Sequence, residues 1–170
     1  MPYLITLQQI RDQRPCVDGW KKLLTTLGEN HAAPDLSRTV SIGDVAKSNG
    51  AADAIWCLRC IDDRRVVVRA SMPAVKRAAV RTTDHRVHDC IAAVEKWLAG
   101  DDSVDLWEAA EAAEAAWPAE AAWAANAAAW AERAAAVEAT AEARDTERAR
   151  QAADLIELFP LHAFATKEAA

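Results

Sequence analysis

Cysteine is scarce in this chain, and the four thiols at Cys16, Cys57, Cys60 and Cys90 follow no dense framework spacing. That argues against a disulfide-stapled fold, and 170 residues are enough to bury a core without staples. The opening MPYLITLQQIRDQR lacks the basic-then-apolar order of a secretory signal. Reduced thiols and a cytoplasmic location are therefore expected. Long apolar runs are missing too: no window reaches the roughly 18 charge-free residues of a spanning helix, so no membrane association is expected. Glycine is limited to five positions, phenylalanine to two and tyrosine to one. Alanine inflates the 52% hydrophobic content while contributing little transfer energy, which leaves Leu, Ile, Val and seven Trp to form the core.

Charge is unevenly placed. Residues 1–100 carry 15 Lys and Arg against 11 Asp and Glu, a balance of +4, whereas residues 101–147 carry 2 against 12, a balance of -10. The chain thus divides into a net basic region, 1–100, and an acidic region rich in alanine and tryptophan, 101–170. Opposite signs favour their packing as one body.

Local signals predict helices throughout. Thr6 with Gln9 spells a capping box, and the helix it opens must stop before Pro15. Trp20, Leu23, Leu24 and Leu27 recur at helical spacing over 17–27, with Gly28 in the C-terminal cap position. Residues 28–40 read as a loop punctuated by Gly28, Asn30 and Pro34. Ser41 and Asp44 mark another helix start, and Asn49-Gly50 interrupts before AADAIWCLRCI resumes an apolar helix. RRVVVRA is rich in β-branched residues, yet it runs into AVKRAAVR with no turn signal except Pro73, which favours helix. Val87, Ile91, Val94 and Leu98 form an amphipathic stripe closed by Gly100. Asp101, Asp102 or Ser103 can cap the next helix, which must end or bend near Trp117 and Pro118.

Beyond Pro118, Trp123, Ala127, Trp130, Ala134, Val137 and Ala141 alternate by four and three residues. Such a seam lets another helix approach closely, with indoles as plugs between alanine holes. The last helix should end at Phe159 before Pro160. The expected fold class is all-α: a compact bundle of about six or seven helices with an alanine-rich C-terminal helical hairpin. Trp20, Trp56, Ile91, Val94, Leu98, Trp123 and Trp130 are expected in the core or a helical interface, and leftover apolar seam leaves room for a homodimer.

Three constellations invite chemistry. Cys57 and Cys60 form CLRC after Trp56, but a redox pair needs a helix N-terminus to lower its thiolate pKa, and these cysteines read as mid-helix. Cys57, Cys60, His85 and His88 contain two ligand-like pairs, yet the separation suits no zinc finger and His85 faces away from the apolar stripe. His88-Asp89, with His31 and Asp154 as distant partners, resembles a phosphohydrolase ligand set only if several helices converge. The sequence therefore gives no catalytic residue, no metal site and no cofactor. His85 and Asp89 read as a solvated i,i+4 pair.

The segments carrying Asp18, Gly19, Trp20, Leu23, Leu24 and Gly28, then Asn49, Gly50, Ala54, Trp56, Cys57, Leu58 and Arg59, then Asp84, Arg86, Ile91, Trp97, Leu98 and Gly100 resemble a family of phage and bacterial immunity proteins. The resemblance spans most of the chain, while ASMPAVKRAAV departs from it. It implies a non-catalytic protein of phage or mobile-element origin that binds a host or bacterial protein. One such role is inhibition of a host defence protein, as anti-CRISPR proteins do; another is neutralising a bacterial toxin.

Two faces are candidates for contact. Glu108, Glu111 and Glu114, with Glu120, Glu132, Glu138 and Glu142 farther on, can mimic a row of phosphates, although alanine-rich helices also need charge for solubility. Arg65, Arg69, Lys76, Arg77 and Arg81, flanked by Arg64 and Arg86, can meet phosphates or the acidic helices. Without a recognition motif, a nucleic-acid accessory factor is the less favoured reading.

Overall fold

The computed structural model describes residues 3–80, 82–114 and 141–164. Among the described residues the chain is mostly helical, with eight α-helices and one antiparallel ribbon of two short strands. The strand β1 (Leu4–Thr6) leads without a break into α1 (Leu7–Asp12), and β2 (Thr39–Ser41) leads likewise into α3 (Ile42–Asn49). Leu4 pairs with Ser41, Ile5 with Val40 and Thr6 with Thr39, so the ribbon holds two helix starts side by side. The expected helical bundle holds, with this small ribbon added to it, and the reading of 28–40 as loop is corrected at its end, where β2 begins at Thr39. Strands of three residues are too short to display a period of two, and this pairing spans distant sequence.

Both capping boxes form. Thr6 Oγ1 accepts from Gln9 N at 3.1 Å while Thr6 N donates to Gln9 Oε1 at 2.8 Å. Ser41 Oγ accepts from Asp44 N at 3.0 Å, and Ser41 N donates to Asp44 Oδ2 at 2.8 Å. The helix α2 (Val17–Leu27) closes at Gly28, whose φ of 75° is the left-handed conformation that glycine adopts without strain. The helix α4 (Ala51–Cys57) follows the Asn49-Gly50 interruption and tightens into a 3-10 turn at Leu58–Cys60. The RRVVVRA segment is helical, as its lack of turn signals suggests: α5 (Arg64–Ala79) is capped by Asp63 and continues through Pro73.

The helix α6 (His85–Leu98) carries the periodic stripe, but only Val87 on it is buried; Ile91, Val94 and Leu98 are half-buried. Trp20 and Trp56 are also half-buried and pack at the margin of the core. The helix α7 (Leu106–Glu114) packs against α6. Its cap is Asp105, not Asp101, Asp102 or Ser103: Asp105 Oδ1 accepts from Trp107 N at 2.8 Å and from Glu108 N at 3.0 Å. Asp101 instead accepts from Ser103 N at 3.0 Å in the preceding turn. Trp117, Pro118, Trp123, Trp130 and most of the expected alanine hairpin lie outside the described residues.

The final helix α8 (Ala141–Leu158) packs against α3, α4 and α5. Leu155 and Phe159 thereby join Leu7, Ile10, Leu23, Leu24, Val40, Ile42 and Val45 in the core. Two residues of α3 set this junction. Gly43 lies so close to the end of α8 that a Cβ there would stand 2.0 Å from the Phe159 carbonyl oxygen. Asp44, fully buried, accepts from His162 N at 3.1 Å and from Ala163 N at 2.9 Å in addition to Ser41 N. One carboxyl group thus caps its own helix and fastens the chain beyond α8 to it.

Candidate functional site

The acidic candidate face is outward-facing where it is described. Glu108 and Glu111 are exposed, three residues apart in the first turns of α7, while the side chain of Glu114 lies outside the described residues. Trp107 stands beside them with 72% of its surface exposed. Trp107 and Glu111 are i,i+4 neighbours on one helical face. An indole with this much free surface is unusual, because tryptophan is highly buried on average. Residue type and composition do not separate Trp107 from the other six tryptophans. Its position just inside a helix start, next to Glu108, was the available signal.

The basic candidate face is largely engaged within the molecule. Arg77 bridges from α5 to two carboxylates of α8, with Glu147 at 2.9 Å and Asp154 at 2.8 Å. Burial opposes its charge, but hydrogen bonds to Glu147 and Asp154 outweigh that cost and raise its pKa. Glu147 is itself buried and also accepts from Gln151 Nε2 at 3.3 Å. Arg65 pairs with Asp102, stacks over the Trp97 ring at 4.9 Å and donates to the Trp97 carbonyl at 3.3 Å. Arg69 donates to the Leu98 carbonyl at 3.3 Å, so both arginines cap the negative end of α6. Lys76 pairs with Glu95. Arg86 holds Asp84 at 2.7 Å, and this hydrogen bond brings the Asp84 carboxyl down to about 2. Arg81 lies outside the described residues.

The thiols sit differently from the sequence reading. Cys57 ends α4 and Cys60 lies in the 3-10 turn, so neither is mid-helix. Neither occupies a helix N-terminus, the place that would acidify it. Burial drives the Cys57 thiol from its ordinary 9.0 up to about 12, with the nearby Cys60 and Asp53 adding to the shift. Burial also raises Cys60 and Cys90. In all three the shift runs opposite to the acidification that a reactive thiolate requires.

The raised Cys57 value has a measurable consequence. Below about pH 9 the thiol is protonated whether the chain is folded or not; between about 9 and about 12 only the unfolded chain releases the proton. Folding stability must therefore fall as pH rises through this window. Denaturant titrations of the wild type and Cys57→Val should run parallel below pH 9 and converge in favour of the variant above it. Parallel curves up to pH 11 would refute the shift.

The metal-like sets do not come together. His31 Nε2 meets Thr25 Oγ1 at 2.9 Å, Asp154 is held by Arg77, and His88 Nε2 meets the Thr82 carbonyl at 3.1 Å. Among the described residues no three His, Cys, Asp or Glu side chains are grouped closely enough to share an ion. Among them, too, no helix is long and apolar enough to cross a membrane. Comparison of the chain with protein-family models, curated proteins and solved structures finds no match.

Proposed function

We propose that this protein acts by binding, not by catalysis, and that it inhibits a host defence protein through the α7 face, in the cytoplasm of a bacterial cell infected by a phage or carrying a mobile element. The carrying observation is the exposed Trp107 with Glu108 and Glu111 beside it, while Arg65, Arg69, Lys76 and Arg77 of α5 are turned to acceptors within the chain. Tryptophan is the residue type most enriched among binding hot spots, and a rim of carboxylates steers a basic partner toward it. A defence protein with a positively charged nucleic-acid channel fits that chemistry. Immunity toward a bacterial toxin is a second reading, favoured by the sequence segments around Trp20, Trp56 and Arg86, and it can use the same surface.

The test is quantitative capture from host lysate with the wild-type chain, Trp107→Ala, and a Glu108→Lys, Glu111→Lys double variant. All three changes are at exposed positions, so folding should be unaffected and circular dichroism can check it. Loss of a hot-spot indole costs about 2 kcal/mol or more, so the affinity for a captured protein should fall about thirtyfold. A captured protein retained equally by all three chains would overturn the assignment. The identity of that protein, defence component or toxin, separates the two readings.

A further inference from the structure

A cleft of about 300 Å³ opens between α2, α3 and α4, lined chiefly by Trp20, Trp56, Leu23 and Val45 with Asn49 and Asp53. It lies apart from α7, and two of the three tryptophan-bearing segments singled out in the sequence, those of Trp20 and Trp56, converge on it. We propose that this cleft is a binding site for a small organic amine, with the indoles holding the apolar stem and the Asp53 carboxylate holding the cationic nitrogen.

The polar groups of the cleft are fixed in advance. Asn49 Nδ2 donates to the Gly19 carbonyl at 2.8 Å and to Asp53 Oδ2 at 2.7 Å, and Asn49 Oδ1 accepts from Ser48 Oγ. The amide is therefore fully occupied. Asp53 Oδ2 has its donor, whereas Oδ1 has no hydrogen-bond partner among the described residues. Gly19 permits this arrangement, because a Cβ there would stand 2.6 Å from Asp53 Oδ2 and 3.0 Å from Cys16 Sγ. Asp53 is a half-buried residue of the cleft with one carboxylate oxygen free to accept, and beside apolar walls such a group selects for a donor that carries positive charge.

The walls agree with that choice. Indole is the aromatic ring that best attracts cations; Arg59 already covers a face of Trp56, 4.3 Å from its ring centre, which leaves Trp20 as the ring for an ammonium group. The volume is at the lower end of small-ligand sites, about 300–1,000 Å³, which suits one ring or short chain. An anionic ligand would face Asp53 with no cation inside the cleft to offset it.

The probes are phenethylammonium and hydrocinnamate, which share a phenyl ring and short stem but carry opposite charges. Binding is read from tryptophan fluorescence and from the backbone amide resonance of Gly19. Saturable binding of phenethylammonium, at least tenfold tighter than hydrocinnamate, is expected. Asp53→Asn keeps an acceptor for Asn49 and so preserves the fold; it should weaken phenethylammonium about tenfold. Ala52→Phe, at an exposed position on the rim, should block the cleft and abolish the Gly19 shift. No saturation at millimolar amine, equal affinity for the two probes, or unchanged affinity in Asp53→Asn would each overturn the proposal.

Discussion

Replacing Asp44 by alanine is expected to destabilise the protein by about 3–5 kcal/mol, lowering its melting temperature by roughly 10 °C. The side chain is completely buried and accepts from three backbone N–H groups, those of Ser41, His162 and Ala163. Alanine leaves all three donors facing a pocket with no acceptor, and each buried unsatisfied group costs about 1–3 kcal/mol. A local capping loss alone costs about 1 kcal/mol, so the excess measures the attachment of the C-terminal segment. The control is a chain ended after Leu161, in which two of the three donors are gone. There the same substitution should cost about as much as an ordinary cap. Urea unfolding of the four chains makes the comparison, and equal costs in both backgrounds would show that Asp44 is only a cap.

Gly43→Ala is expected to destabilise by about 2–3 kcal/mol even though alanine is the better helix former. The propensity gain is at most about 1 kcal/mol. Against it, the new methyl would stand 2.0 Å from the Phe159 carbonyl oxygen and 3.2 Å from its carbonyl carbon. The obstacle is backbone at the end of α8, which cannot rotate away as a side chain could, so the helices must separate. Overpacking of this kind costs about 1–3 kcal/mol or more. Hydrogen exchange should show the loss concentrated in 155–163, and a variant as stable as the wild type would contradict the close approach.

These two residues also mark the limit of what the sequence discloses. Ser41-x-x-Asp44 is legible as a helix start because a capping box is local, and the same holds for Thr6 with Gln9 and for Gly28 after Leu27. The second duty of Asp44, over a separation of 118 residues to His162, leaves no spacing signature. Gly43 reads as an unremarkable helix residue until α8 is in place. The ribbon escapes detection for the same reason: Thr39 and Thr6 pair across a long connection, and neither strand is long enough to show alternation. Likewise the stripe from Val87 to Leu98 is helical as its period requires, but period does not say how deeply a face is covered.

The candidate surfaces divide along similar lines. The acidic run at Glu108 and Glu111 is visible in composition, whereas the exposure of Trp107 depends on how α7 lies against α6. The arginines look like a phosphate-binding stripe in sequence because their acceptors come from elsewhere. Glu147 and Asp154 reach Arg77 from α8, and the carbonyls of Trp97 and Leu98 reach Arg65 and Arg69 from the end of α6. The cleft between Trp20 and Trp56 is assembled from α2, α3 and α4 with Ile10 of α1, so its residues are individually conspicuous and collectively invisible in one dimension.

Titration with short duplex DNA at physiological salt, on the wild type and on an Arg65→Ala, Arg69→Ala variant, tests most directly whether α5 is internally engaged and α7 is the face left for recognition. The expected result is that both chains bind no more tightly than about 1 µM, the strong end of the non-specific range, and do not differ from each other. Tight binding by the wild type that the double variant loses would contradict it, and would move the functional surface from α7 to α5.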